Sequence, residues 1–305
     1  MLALTSLFCD VLPSEPSDPS YYARYVRQYA LLTLPTVLTQ AMLTAVRSEE
    51  EKILDDEVSH FVASFDENAR AKRNAFDLYR DAAGMNSERI VQDEEGRSSI
   101  SQFFVDQSEV MKISNRELVM SSLRASAFLN YYFLLEDTLK SLYYDTCTPD
   151  DSAKGKSGSV VISVFLKDIL SSKRAVRFFD GELLKRSQFF TRFGLLTKMW
   201  SLMTIIRNVL VHDGGQCDDE EIARISLCVD ELVSMLDKDQ LVTSVLIGNV
   251  FASMLTETRK TGRLMFGDDL ENCIRNLGLF VMESLILAER AAQRAQEPAA
   301  RRIPR

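Results

Sequence analysis

Glycine, proline and histidine are all scarce in this chain, and each shortage excludes a class of protein. The 305 residues include only 12 glycines, 7 prolines and 2 histidines. A β fold needs frequent glycines and prolines for its turns, so their shortage favours long helices. A zinc site built from cysteine and histidine is not expected when His60 and His212 are the only histidines.

Paired cysteines and an excess of positive charge are also absent. The 5 cysteines are scattered, odd in number and never spaced as C-x-x-C, which favours a reduced, cytoplasmic protein over a disulfide framework. The 36 lysines and arginines are outnumbered by 44 aspartates and glutamates, which gives a net charge of −8. This balance excludes a protein coated in basic residues for non-specific nucleic-acid binding, so any RNA contact requires a local basic patch.

Long apolar runs, which a membrane protein would need, are missing as well. The best N-terminal candidate lies between Gln28 and Gln40 and is interrupted by Pro35, so we expect no membrane span. The apolar start, Met1–Cys9, has no basic region before it and meets Asp10 early. We interpret it as a packed or frayed arm and not as a signal peptide.

The chain does have apolar residues at helical spacing, and 46% of its residues are hydrophobic, which is enough for a sizeable core. We predict an all-α fold with an N-terminal helical region at residues 1–99, a helical domain at 100–296 and a disordered basic tail at 297–305. A polar link at 93–99 marks the boundary. The predicted helices cover about 21–46, bent near Pro35, and about 48–83, 115–144, 160–170, 190–211, 240–258 and 268–296. Residues 240–258 are also compatible with a short β-hairpin, because they are rich in valine and isoleucine.

Two short patterns have both a functional and a structural interpretation. Gly155-Lys156-Ser157 resembles the end of a phosphate-binding P-loop, but the required upstream glycine would fall at Asp150, so we interpret it as an ordinary loop. The acidic run Asp218–Glu221 can cap a helix, with Asp218 and Glu221 forming a capping box. Metal binding by this run is the alternative.

The residues that can carry chemistry are Arg207–His212, with the sequence R-N-V-L-V-H, followed by Asp213 and two glycines. RNA can be cleaved when its own 2′-hydroxyl attacks the adjacent phosphate. A histidine can transfer the protons, since imidazole titrates near neutral pH, and an arginine can hold phosphate oxygens. On an ideal helix Asn208 and His212 share a face, whereas Arg207 points to one side and must curl back. This chemistry needs no cofactor and no metal.

The pattern Arg207-Asn208-x-x-x-His212 resembles the R-x4-6-H signature of HEPN domains, in which a polar residue often follows the arginine. The aromatic helix with the sequence N-Y-Y-F-L-L-E at 130–136 is similar to the first long helix of these domains. The resemblance covers roughly residues 115–290 and implies an antiparallel helical bundle, preceded here by an added N-terminal helical region. It implies a metal-independent endoribonuclease.

Dimerisation is a further implication of this resemblance, because HEPN domains commonly place two copies of the motif face to face. We therefore expect a homodimer whose composite cleft holds two copies of Arg207, Asn208 and His212. Glu136 is a candidate for an additional polar residue facing this cleft. Some HEPN proteins are silenced by nucleotide transfer onto a tyrosine two residues after the histidine, and Gly214 at that position does not support such regulation.

A basic and aromatic segment at 173–198 is the predicted RNA-binding region. Only Asp180 and Glu182 oppose its positive charges, and five phenylalanines lie between them. The basic groups can follow phosphates and an exposed ring can stack on a base, although core packing is the preferred interpretation for most of the phenylalanines. The seven basic residues are Lys173, Arg174, Arg177, Lys185, Arg186, Arg192 and Lys198.

Three functions are compatible with these residues. The first is a metal-independent endoribonuclease of a toxin–antitoxin pair, phage defence or RNA processing, with an antitoxin or another regulatory protein as partner. The second is a non-catalytic HEPN-like scaffold that binds RNA or a protein. The third is a helical interaction protein without a nucleic-acid role. RNA cleavage in EDTA separates the first from the others, and RNA binding at low salt separates the second from the third.

Overall fold

The computed structural model describes residues 11–45, 100–147, 158–187, 189–236 and 241–296. Within these ranges the regular elements are helices and no strand is present, which confirms the all-α class. A π-helical turn at Val161–Leu166 leads into the fourth helix. The helices are α1 (Ser20–Ala45), α2 (Ile100–Met111), α3 (Asn115–Thr146), α4 (Lys167–Ser172), α5 (Val176–Arg186), α6 (Phe193–His212), α7 (Asp219–Ser234), α8 (Leu241–Thr261) and α9 (Asp268–Gln296).

The chain divides into two compact units. Unit 1 comprises residues 1–33 and 125–305, and unit 2 comprises residues 34–124. This division differs from the predicted one at residue 99, and the polar link at 93–99 lies outside the described residues. The Arg207–His212 motif and the basic segment both belong to unit 1.

Several predictions fall on residues outside the described ranges. These are the N-terminal arm at 1–9, the helix at 48–83, the P-loop-like residues 155–157 and the basic tail at 297–305. Residues 241–261 form a helix, which is the first of the two interpretations given for that stretch. In the described part of the chain, no helix has an apolar stretch long enough to cross a bilayer.

Unit 2 contributes the end of α1, all of α2 and the beginning of α3. A capping box starts α3. The Ser114 hydroxyl oxygen accepts a hydrogen bond from the Glu117 amide at 3.2 Å, and the Glu117 carboxylate accepts one from the Ser114 amide at 2.9 Å. These hydrogen bonds from Ser114 hold the pKa of Glu117 below its usual value. They satisfy amides that would otherwise be free at the helix start.

Tyrosines spaced four residues apart join α1 to the core of unit 1. Tyr21, Tyr25 and Tyr29 are at most 5% exposed, because residues at this spacing lie on one face of a helix. Tyr25 approaches α9 at Gly278, where an added Cβ atom would lie 2.7 Å from the tyrosine hydroxyl. The contact between these two helices therefore requires a glycine at position 278.

An ion pair and two hydrogen bonds to carboxylates join α9 to the start of α1 and the residues before it. Arg290 is 8% exposed and donates hydrogen bonds to the two carboxylate oxygens of Asp18 at 2.8 and 2.5 Å. Glu283 accepts a hydrogen bond from the Leu12 amide at 2.7 Å, and Glu289 accepts one from the Tyr21 hydroxyl at 2.6 Å. The hydrogen bonds from Arg290 lower the pKa of Asp18.

Helix α6 is positioned by contacts with α3 and α7. Trp200 on α6 is fully buried and stacks on Tyr132 of α3, with ring centroids 4.4 Å apart and an angle of 7° between the planes. Helix α7 packs against both α6 and α8. The predicted capping box starts α7, since Asp218 accepts from the Glu221 amide and Glu221 accepts from the Asp218 amide. These packing contacts fix where the end of α6 lies in unit 1.

Candidate active site at the end of helix α6

The motif occupies the last two turns of α6, which ends at His212. Two consecutive glycines end the helix. Gly214 and Gly215 have φ angles of +60° and +84°, in the left-handed region that side chains disfavour. The Gly215 amide donates to the Val209 carbonyl at 3.0 Å, so the chain folds back onto the helix end. The motif therefore lies at the end of a helix, immediately before a sharp turn.

His212 and its surroundings are open to solvent. The His212 residue is exposed, and so are Val211, at 43%, and Gly214. Apart from Gly214 and its two chain neighbours, no heavy atom of the described residues lies within 4 Å of the position that a Cβ atom on Gly214 would take. His212 is therefore accessible to solvent at the end of the helix.

The Arg207 side chain lies against α3 and reaches the neighbouring Asn208. Its guanidinium lies 5.1 Å from the ring centroid of Phe133 and 5.8 Å from that of Tyr132, both on α3. It donates a hydrogen bond to the Asn208 side-chain oxygen at 2.9 Å. Its buried Nε atom has no partner in the described part of the chain. The structure thus brings Arg207 and Asn208 together, and places His212 one helical turn after Asn208.

A chain of buried contacts lies beneath Arg207. The Tyr132 hydroxyl is 3.0 Å from the Thr204 hydroxyl, and the Trp200 indole donates to the Gly158 carbonyl at 2.7 Å. Burial raises the pKa of Tyr132 above its usual value. The hydrogen bond with Thr204 lowers this pKa by a smaller amount, and the charge of Glu136 raises it further. The phenol therefore stays protonated and fixes the ring against which Arg207 rests.

Glu136 belongs to this buried layer and not to the exposed surface around His212. It is 4% exposed, and its carboxylate accepts a hydrogen bond from the Gly158 amide at 2.6 Å. The sequence suggested that Glu136 faces the cleft. Its observed contact instead holds the chain at Gly158, whose carbonyl in turn accepts from Trp200.

Most of the predicted RNA-binding residues have partners within the protein. Lys173 pairs with Glu289 at 3.1 Å and lies over the Tyr21 ring. The other engaged residues are Lys185 with Glu182, Arg186 with Glu283, Arg192 with the Met235 carbonyl, and Lys198 with Glu231.

Two of the seven basic residues remain exposed and without an ion pair in the described part of the chain. They are Arg174, at the end of α4, and Arg177, on α5. The neighbouring phenylalanines pack into the core: Phe179, Phe189 and Phe190 are at most 2% exposed. Arg174 and Arg177 are therefore available to a phosphate, and so is Lys185, whose side chain is 71% exposed in its surface pair with Glu182.

Burial and the partner residue Glu231 shift the pKa of Lys198 in opposite directions. Burial, the largest single influence, lowers the pKa of its ammonium group, while the hydrogen bond and charge of Glu231 raise it. The net pKa is raised, so the ammonium group stays charged in its pair with Glu231. A lysine held in this way is committed to an internal contact between α6 and α7.

Arg263 is a residue near the motif that the sequence did not point to. It follows α8 and forms an isolated antiparallel bridge with Gln216, four residues after His212. The Leu264 amide donates to the Gly215 carbonyl at 2.8 Å, and the Cys217 amide donates to the Gly262 carbonyl at 3.1 Å. Only the arrangement of α8 beside α7 brings Arg263 here, and no local pattern indicates it.

Cys217 lies in the same turn and is 7% exposed. Burial, and then the charges of Glu221 and Asp218, raise the pKa of its thiol to about 11. The thiol is therefore protonated near neutral pH, and it is not an activated nucleophile.

Within the described ranges, no group of three or more histidine, cysteine, aspartate or glutamate side chains is arranged to hold a metal ion. Comparison with known proteins gives no relative: no family model, no curated protein and no solved structure matches this chain.

Proposed function

We propose that this protein is a metal-independent endoribonuclease of the HEPN type. The observation that carries the proposal is the placement of an exposed histidine at the end of α6, beside a two-glycine turn with open space at Gly214. Arg207 and Asn208 complete the motif. Their side chains are joined by a hydrogen bond about one turn before His212 in the same helix. This arrangement suits a phosphodiester chain that reaches the protein from solvent.

His212 is the residue we assign to proton transfer. In the proposed reaction the RNA 2′-oxygen forms a bond to the adjacent phosphorus while the bond from phosphorus to the 5′-oxygen breaks. One histidine takes the proton from the 2′-hydroxyl, and a second delivers a proton to the departing 5′-oxygen. The products are a 2′,3′-cyclic phosphate and a 5′-hydroxyl, and no metal takes part.

Arg207 and Asn208 are assigned to the phosphate. The hydrogen bond from Arg207 occupies the Asn208 oxygen, which directs the amide NH2 group of Asn208 toward other acceptors. The guanidinium keeps its positive charge, and the rings of Phe133 and Tyr132 hold it in place. We propose that Asn208 donates to a phosphate oxygen and that the nearby charge of Arg207 stabilises the negative charge that develops in the reaction.

A second subunit supplies the second histidine in this proposal. One chain offers a single His212 in the motif, and the reaction needs both a base and an acid. Val211, which is 43% exposed next to His212, offers an apolar surface for a partner. We propose a two-fold symmetric homodimer in which the two α6 ends face each other across the RNA.

RNA cleavage by the purified full-length chain in excess EDTA tests the proposal. We expect fragments with 2′,3′-cyclic phosphate and 5′-hydroxyl ends, and we expect His212→Ala to lower the rate by a factor of about 10² to 10⁴. Because His212 is exposed, this variant should unfold at the same temperature as the wild type.

Arg259→Ala is the matched control for this experiment. Arg259 is exposed on α8 and has no ion pair in the described ranges, so its loss should leave the rate within about twofold of the wild type. Arg207→Ala should lower the rate as well, and its unfolding temperature must be measured, since Arg207 packs on Phe133. Equal cleavage by wild type and His212→Ala would show that the assigned site is wrong.

A non-catalytic scaffold that binds RNA or a protein is the second candidate function. One observation favours it: five of the seven basic residues at 173–198 already have a partner in this chain, so the segment has fewer free charges than an RNA-cleaving surface would use. This function predicts RNA binding without cleavage. Charge reversal at Arg174 and Arg177 should weaken that binding, because these two cations are exposed. Absence of RNA binding at low salt would instead favour a protein-interaction role.

A further inference from the structure

An arginine distant in sequence lies beside the turn that follows the motif. The Nε and Cγ atoms of Arg263 are 3.6 and 3.8 Å from the position that a Cβ atom on Gly215 would take. The side chain therefore rests on the glycine, within the turn that begins immediately after His212. Two backbone hydrogen bonds, Leu264 to Gly215 and Cys217 to Gly262, hold this contact in place.

The bridge also sets the direction of the neighbouring side chain. Gln216 and Arg263 are directly opposed, and the hydrogen bonds are made by the residues on either side of them. In an antiparallel pair of this kind the two opposed side chains lie close together on the same face. Gln216 is exposed, so an amide and a guanidinium, both hydrogen-bond donors, are side by side at the surface.

The charge of Arg263 is not used inside the described part of the protein. Its backbone amide and carbonyl form hydrogen bonds with the Thr261 hydroxyl. Its guanidinium has no ion pair or hydrogen bond in the described ranges, and the residue is partly exposed. The carboxylates of Asp218 and Glu221, which follow Gln216 in the chain, form a capping box with each other's backbone amides. Arg263 thus differs from the five engaged cations of residues 173–198.

We infer that Arg263, together with Gln216, binds a backbone phosphate of the RNA next to the one at His212. The inference rests on the proposed function. A guanidinium is suited to this role because its fork of N–H groups matches phosphate oxygens and it remains charged. Arg263 rests on Gly215, three residues after His212, and the Leu210 side chain packs at the same place, with its Cδ2 atom 3.5 Å from the position of an added Cβ. In the inferred arrangement, one nucleic-acid strand passing this turn contacts both His212 and Arg263.

RNA affinity measured at several salt concentrations tests the inference. The probe is a fluorescent single-stranded RNA with 2′-O-methyl groups, which cannot be cleaved by 2′-oxygen attack. Loss of one phosphate contact with a single strand lowers the slope of log affinity against log salt by about 0.7. The same relation gives about fivefold weaker binding at about 0.1 M salt. We expect both effects for Arg263→Gln, and near wild-type behaviour for Arg263→Lys, which keeps the charge.

Arg259→Gln is the matched control, because it removes the same charge four residues earlier from an exposed position. The inference is overturned if Arg263→Gln binds like the wild type, if Arg259→Gln loses as much affinity, or if the wild type does not bind the probe. These outcomes can be told apart from failure of the proposed nuclease. Binding that depends on Arg263 without any cleavage of unmodified RNA would sustain the inference and reject catalysis. Cleavage that depends on His212 but not on Arg263 would sustain the proposed nuclease and reject the inference about Arg263.

Discussion

The basic side chains of this protein fall into two groups. Some form ion pairs with nearby carboxylates, and others have no opposite charge within reach in the part of the chain that the structure describes. Arg186 and Lys173 are paired with glutamates of α9, whereas Arg263 and Arg174 have no such partner in the described residues. A buried charge is costly unless it is paired, so the first group stabilises the fold. The second group keeps its charge available for a ligand.

The pair of Asp18 and Arg290 gives a prediction at the residue scale. Both side chains are at most 9% exposed, and their hydrogen bonds lower the pKa of Asp18. A carboxylate with a lowered folded pKa contributes stability that is fully present above its unfolded pKa of about 4 and is lost as the pH falls through the folded value. Asp18→Asn should therefore lower the free energy of unfolding by about 2 kcal/mol at neutral pH.

The pH dependence of the free energy of unfolding shows whether the charge of Asp18 causes the loss of stability in Asp18→Asn. Below its lowered folded pKa the aspartate is protonated and resembles asparagine, so the difference between wild type and variant should shrink as the pH falls below the unfolded value of about 4. Urea unfolding at a series of pH values measures it. Asp145→Asn, at an exposed position on α3, should change stability by less than about 0.5 kcal/mol. A constant difference between Asp18→Asn and wild type from neutral pH to pH 3 would contradict the assignment.

At the scale of helices, the positions of glycines decide how closely elements approach. Two glycines at positive φ angles end α6, and the space that a side chain on Gly214 would take is open. Gly278 in α9 has an ordinary helical backbone conformation. Because it has no side chain, the Tyr25 hydroxyl of α1 can lie against it. The same residue type therefore serves backbone conformation at one place and helix packing at another.

A double-mutant cycle tests the contact between α1 and α9. Gly278→Ala places a methyl group 2.7 Å from the Tyr25 hydroxyl, and we expect it to destabilise the protein by about 1 to 3 kcal/mol. Tyr25→Phe removes the hydroxyl, so Gly278→Ala should cost less in that background, as measured by chemical unfolding. Additive effects of the two substitutions would show that the two groups are not in contact.

For the whole molecule, the proposed function depends on a second copy of the chain. A single chain offers one His212 at an exposed helix end, together with one Arg207–Asn208 pair. If catalysis needs two copies, the active species is the dimer, and its concentration falls more steeply than the total protein concentration on dilution.

Dilution therefore provides a test at this scale. Cleavage rate per subunit should be constant at high protein concentration and should fall once the protein is diluted below the dissociation constant of the dimer. Sedimentation velocity at matching concentrations gives the dimer fraction, which should follow the rate. A rate per subunit that stays constant while the dimer dissociates would place the whole reaction in one chain.

The local features of this protein were predictable from the order of its residues. Long helices at 115–144, 190–211 and 268–296 correspond closely to α3, α6 and α9, and the Asp218–Glu221 capping box is present. Helical periodicity, capping and glycine-terminated ends depend on residues within about one turn of each other, so they can be identified without the fold. Helices α2 and α5 were not predicted, although both are regular in the structure.

Tertiary structure alone decided which of the recognisable side chains remain available. It paired Arg186 with Glu283, buried Glu136 under the aromatic layer of α3 and α6, and brought Arg263 beside Gly215. These contacts join residues far apart in the chain, and they exist only because packing of the apolar helix faces places them together. The sequence therefore determined the helices and the motif at the end of α6, whereas long-range packing determined its neighbours.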